Sequence, residues 1–181
     1  MTMNLKNPLL YTPIKFGLFG ALLIIILYIV MFYAGRHPLP VGFADVRFLL
    51  LPIFLFFSMK EFRDYYNEKI LHFWQAILIG SLVILTIGAI AALFIFTFSE
   101  WIDTRFLSQY ITIRAQAFEA NKEAFMSNQN LTEELFNEQL KLLSQTSAAA
   151  LALDYLVKTI AIGLFLNIII SVILRRQPKR F

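Results

Sequence analysis

The sequence predicts an all-α integral membrane protein. Four transmembrane helices are expected over residues 14–34, 41–59, 73–98 and 155–174, with an extracytoplasmic α-helical hairpin, residues 99–154, between the third and the fourth. Three observations carry this. Of 181 residues, 59% are hydrophobic and 15% charged, against about 45–50% and about 25% in a soluble domain. The apolar residues gather in runs long enough to cross a bilayer. Those runs, 86 residues together, hold four of the 28 charged residues. The chain reads as a single four-helix membrane domain, 1–181, with the hairpin inserted into it. With Gly 7, Pro 6, Cys 0 and Phe 19, disordered, collagen-like and disulfide-stapled chains are excluded.

The first run, Ile14–Ala34, has Lys15 as its one charge, placed at an end from which a lysine snorkels to the interface. It is too long for a typical signal-peptide core, and Tyr33-Ala34-Gly35-Arg36 is not a small-residue cleavage site, so an uncleaved span is expected. The second run has a core, Phe48–Met59, of 12 residues, the length of a re-entrant or interfacial piece. Adding Val41–Arg47 gives 19 residues and brings Asp45 and Arg47 to one interface. Pro52 removes a backbone donor in mid-helix. A full crossing is expected over a re-entrant turn. The third run, Phe73–Phe98, is 26 residues without a charge, ~39 Å of helix against a ~30 Å hydrocarbon core. The fourth, Tyr155–Leu174, carries Lys158 in its first turn, an i,i+4 partner for Asp154.

Charge placement sets the orientation. Lys6, Lys15, Lys60, Arg63, Lys69, Arg175, Arg176, Lys179 and Arg180 fall on one side of a four-span chain, whereas the short first loop offers only Arg36 and Arg47 to the other. Both termini are therefore expected in the cytoplasm. The segment 99–154, with eight of the twelve carboxylates, is expected outside.

Within that segment Phe106, Tyr110, Ile113, Ala117, Ala120 and Ala124 recur at steps of four and three, as do Phe136, Leu140, Leu143, Ser147 and Ala150. Both are helical stripes. Ser127-Asn128-Gln129-Asn130 reads as the turn between two arms of about 23 and about 22 residues. Thr132 caps the second arm, Glu133 and Glu134 suit its dipole, and Leu131 staples to Phe136. Asp103 or Thr104 opens the first. The first arm lying flat on the membrane, with Phe106, Tyr110 and Ile113 inserted, is the alternative to an upright hairpin.

Candidate residues follow from chemistry in lipid. Thr159, Gly163, Asn167 and Ser171 stand at i+4 steps on the fourth span, with Ala76, Gly80 and Gly88 on the third. Such stripes let helices approach closely and hydrogen-bond. Asn167 is also a candidate for a polar path or an oligomer contact. Asp45, Arg47, Trp101, Phe106, Tyr110 and Ile113 are candidate contacts to lipid or a partner, the first two as a pair, as a cluster with Asp154 and Lys158, or at a lipid headgroup. No catalytic residue, cofactor or metal ligand is expected. His37 and His72, the two histidines, fall on opposite sides of the membrane, and no phosphate loop or zinc motif appears. The basic residues are topological and do not form a nucleic-acid patch.

Lys60-Glu61-Phe62-Arg63-Asp64 after the second span, Phe73-Trp74-Gln75-Ala76, the stretch Phe98–Phe106 with Trp101-Ile102-Asp103, and Leu131-Thr132-Glu133-Glu134 resemble, in order and spacing, a bacterial family of small four-span membrane proteins known only as a domain of unknown function. The resemblance covers nearly the whole chain; Thr104 stands where members often have proline. It implies four spans, a bacterial inner membrane and no established activity. As a partner class it implies lipid-linked glycosyltransferases, encoded near relatives. The expected function is a non-enzymatic inner-membrane accessory or scaffold that presents the hairpin to a membrane or periplasmic protein. The alternative is a small, oligomeric transporter or lipid-handling protein.

Overall fold

The computed structural model describes residues 7–39, 46–123 and 132–177. Among these the chain is helical: α1 (Pro8–Tyr33), α2 (Val46–Glu61), α3 (Phe73–Thr97), α4 (Arg105–Ala120), α5 (Glu133–Ser144) and α6 (Ala148–Leu174). Single π-helical turns, Phe62–Tyr66 and Phe98–Ile102, prolong α2 and α3. Three helices are long and apolar enough to cross a membrane: α1, α3 with its π turn to Ile102, and α6. α2, with 16 residues, rises only ~24 Å and falls short of them.

Local chemistry sets the starts. The Asn7 side chain accepts from the Leu9 amide at 3.0 Å, with Pro8 in the first helical position, where its missing N–H costs nothing. Gln75 reaches back from α3 to the His72 amide at 3.0 Å. Thr132 caps α5, as expected, accepting from the Leu135 amide at 3.4 Å. Leu131 and the expected turn 127–130 lie outside the described residues.

Two boundaries differ from expectation. The third span does not stop at Phe98: one residue too many in the turn gives a π bond, Asp103 N–H to Phe98 O at 2.8 Å, and the helix runs on to Ile102. The fourth begins at Ala148 rather than Tyr155, because Ser147 accepts from the Ala150 amide at 3.2 Å and caps a new helix. The second hairpin arm is therefore 12 residues long, and the stripe Phe136–Ala150 is split between α5 and α6. In the second run, helix is described from Val46 and continues without reversal to Glu61; residues 41–45 of the expected span lie outside the described residues.

α1, α2, α3 and α6 form one four-helix bundle. α3 and α6 are antiparallel and share most contact. The notch at Gly80 holds Asn167, Ile84 fills the notch at Gly163, and Gly88 meets Thr159 and Leu156. A Cβ on Gly80 would lie 1.9 Å from Asn167 Oδ1, so the helices approach as closely as they do only because glycine stands there. α2 runs alongside α6, Arg47 level with Thr159 and Met59 level with Ser171. α1 meets α2 through Lys15 Nζ and Glu61 Oε1, 2.5 Å apart. The core is Ile24, Leu51, Leu55, Ile79, Ile84, Ile87 and Ile95, while Phe19, Leu93, Phe165 and Ile173 face outward. An apolar outer surface on a packed bundle is what a lipid solvent selects.

At the end of the bundle that holds Glu61, the link into α3 is clasped to the segment after α6. Leu71 and Arg176 exchange both backbone hydrogen bonds, at 3.0 and 2.9 Å. Glu68 and Lys69 carry positive φ, 49° and 62°, a strain of roughly 1–2 kcal/mol per non-glycine residue. Bonds from the Lys69 amide to Arg63 O and from Asn67 Nδ2 to Ile70 O hold them there.

Candidate functional site

Of the buried polar side chains, Arg47, Thr159, Asn167 and Ser171 form two clusters on the α6 stripe, and Thr12, Ser58 and Ser99 are buried apart from these hydrogen bonds. The upper centres on Arg47, 5% exposed. Its Nη1 donates to Tyr155 O at 3.1 Å and to Thr159 Oγ1 at 2.9 Å, and its guanidinium lies 4.4 Å from the centroid of the Tyr155 ring. Thr159 Oγ1 in turn donates to Tyr155 O at 2.8 Å. Tyr28, from α1, donates to the Tyr155 hydroxyl at 3.3 Å, the rings edge to face. Burying a guanidinium costs several kcal/mol unless its donors are met; carbonyl, hydroxyl and ring face offset that cost here. One arginine thus ties α2 to α6, and Tyr28 adds α1.

The lower cluster centres on Asn167, fully buried. Its Nδ2 donates to Ile77 O at 3.0 Å and Ser81 Oγ at 3.4 Å, and its Oδ1 accepts from Ser171 Oγ at 3.1 Å. Between the clusters, the Ile84 side chain fills the Gly163 notch. Apolar packing there separates the two sets of polar groups.

Above the upper cluster lies an aromatic collar. Phe32, Phe98 and Phe106 lie with ring centroids 5.4–5.6 Å apart. His37, from the segment after α1, covers them, its ring 4.6 Å from Phe106 and 5.8 Å from Tyr110. His37 Nε2 donates to Phe106 O at 2.9 Å and Nδ1 accepts from the Leu39 amide at 3.2 Å. Burial holds this imidazole below the ordinary histidine value, the bond to Phe106 opposing. α4 starts from the collar, with Asp103 accepting from the Arg105 amide at 3.0 Å and held below the usual carboxylate range by the Arg105 side chain. α5 returns antiparallel along α4. Phe118 stacks on Phe136 at 4.7 Å, Lys122 pairs with Glu133 at 2.8 Å, and that bond lowers the Glu133 pKa. Tyr110, Leu143, Thr146, Ala150, Leu151 and Asp154 line an open pocket of about 220 Å³ where α4, α5 and α6 meet.

The small and polar stripes on α3 and α6 therefore meet each other, and Ala76 is buried near the start of α3. Phe106 and Tyr110, expected to touch lipid or a partner, are instead spent on the protein's own collar, 1% and 8% exposed. Trp101 is exposed at the π turn, and Ile113 is partly exposed on α4. Asp45 lies outside the described residues. Asp154 and Lys158 pair with each other at 2.6 Å, as their i,i+4 spacing predicts, and Arg47 turns inward to Tyr155 and Thr159; its alternative pairing with Asp45 lies outside the described residues. Sequence reasoning missed the Lys15–Glu61 pair, although a lone lysine in one apolar run and a glutamate closing the next were its signal. It also missed His37, which carries no motif. Among the described residues no three His, Asp or Glu side chains gather as a metal site.

An all-helical chain, apolar on its outer face and with three helices fit to cross a bilayer, is a polytopic membrane protein. It belongs to the family described as "Protein of unknown function (DUF4199)", which matches residues 15–176. No curated protein and no solved structure matches the chain.

Proposed function

We propose that this protein is a non-enzymatic accessory or scaffold of the bacterial inner membrane, displaying the α4–α5 pair outside the cytoplasm to a membrane or periplasmic protein. In this reading α2 is the fourth crossing, with both termini in the cytoplasm. Trp74 and Trp101 mark the two interfaces: both are exposed, and 27 residues of continuous helix separate them by ~40 Å, the distance between headgroup layers. The carrying observation is that, among the described residues, the arm pair joins the bundle at its base, through the collar and the meeting of α4, α5 and α6, while Leu135 and Leu142 on α5 stay exposed, 49% and 62%. They stand seven residues apart, on one helix face. A lipid-linked glycosyltransferase is one partner class to look for.

The test is photo-cross-linking in the native membrane from Leu135 and Leu142, with lipid-facing Phe165 as control. A shared protein adduct from the two arm positions, absent from the control, is expected. Adducts to lipid alone, or the same adducts from all three positions, overturn the reading.

The buried Arg47 and Asn167 favour a second reading, a small transporter or lipid-handling protein. It requires the two polar clusters to communicate, and Ile84 in the Gly163 notch stands between them.

A further inference from the structure

We propose that His37 is a proton-operated latch: neutral, it ties the α1–α2 link to the base of α4, and on protonation it lets the α4–α5 arm leave the end of the bundle. This goes beyond partner display, since it concerns the arm's attachment whatever the arm contacts.

The hydrogen bonds fix the protonation state. The Leu39 amide can only donate, so Nδ1 must present a lone pair; Phe106 O can only accept, so Nε2 carries the proton. Both nitrogens are satisfied in that one neutral tautomer. A second proton would sit on Nδ1 and face the Leu39 N–H, donor against donor. The Phe106 ring face would attract an imidazolium, but that attraction leaves the Nδ1 proton without an acceptor in the present geometry.

Among the described residues, the ring makes the side-chain hydrogen bond that joins the link to the arm. Phe32 of α1, and Phe106 and Tyr110 of α4, surround it, and Leu39 beside it is buried. The charged or titratable groups next to the ring are Tyr33 and Arg36 beside the histidine in the chain, Tyr110, and the Asp103–Arg105 pair opening α4. Asp154 of α6 lines the pocket beside Tyr110, Arg114 and Glu119 lie farther along α4, Tyr11, Lys15 and Tyr28 farther along α1, and Asp45 of the link is outside the described residues. Asp103 and Arg105 are bound to each other at 2.6 Å, so the carboxylate is already matched by a cation.

The sign follows from burial. The closed joint lowers the pKa of His37, so the open state takes the proton more readily. The joint is intact above the open-state value of about 6.5 and weakens as pH falls below it.

The chain has no cysteine, so Ala34→Cys and Gln109→Cys in the full-length protein in nanodiscs give a clean spin-label pair across the joint. At about pH 7.5 one short distance is expected. At about pH 5, well below the ordinary histidine value, a second, longer distance should replace part of it. His37→Gln, whose amide still donates to Phe106 O but does not titrate, should show the short distance at both. A pH-independent distance in the native sequence, or the same shift in His37→Gln, overturns the latch. Nitrogen NMR of the two histidines, assigned with His72→Gln, reads His37 without altering it. The Nε2–H tautomer with a midpoint below about 6.5 is expected; the Nδ1–H tautomer or a higher midpoint overturns the latch.

Discussion

At the residue scale, the interior depends on a few notches. Gly80 leaves room for the Asn167 amide, and an added Cβ would meet Oδ1 at 1.9 Å; at Gly88 it would meet the tip of Leu156 at 3.0 Å. The first neighbour is held by hydrogen bonds and the second is a flexible terminus. Gly80→Ala should therefore lower stability by about 1–3 kcal/mol and Gly88→Ala by clearly less, measured as thermal melting in one detergent. Equal losses would mean that the notch is not what matters. The stripe Thr159–Gly163–Asn167–Ser171 was legible in the sequence, because i+4 spacing alone puts residues on one helix face. Arg47 was legible as an unusual charge and not as a helix tie. Its reach spans several ångströms, so spacing says nothing about which carbonyl or ring it finds.

At the element scale, α1 and α2 are joined by a lysine and a glutamate 46 positions apart in sequence. Their side chains are 28% and 22% exposed, so solvent screens the pair only in part. Lys15→Glu and Glu61→Lys should each lower the melting temperature, and the double swap should recover most of the loss. A coupling of about 1 kcal/mol is expected from the cycle; strict additivity would show that the pair contributes nothing. The same scale shows why boundaries were the hardest part to read. A periodic stripe runs through Ser147, yet the hydroxyl that fits the stripe also caps a helix, and the capping bond prevails. The two π turns are unreadable for a related reason: one extra residue in a turn leaves composition and periodicity almost untouched.

At the scale of the molecule, what the sequence disclosed best was the division between lipid-facing and water-facing chain, because solvent acts on many residues at once. It disclosed least how deep α2 sits, since that depends on Arg47 meeting Thr159 and not on any run of apolar residues. The orientation proposed above is open to direct test in a cysteine-free chain. Single cysteines at Gln109 and Glu138 should react with a membrane-impermeant maleimide added outside spheroplasts. Those at Lys69 and Gln177 should react only after lysis, and the reverse pattern would invert the topology.

The complementary notches of α3 and α6 also restrict how the protein can move. Sliding one helix past the other by a single turn, about 5.4 Å, would set Gly163 against either Gly80 or Gly88 and drive Ile84 into Thr159 or Asn167. Each direction thus opens a void at one level and creates a collision at the next. A piston stroke between these two helices is closed off both ways, so they behave as a fixed mast. Motion is left to what is fastened around it, above all the arm.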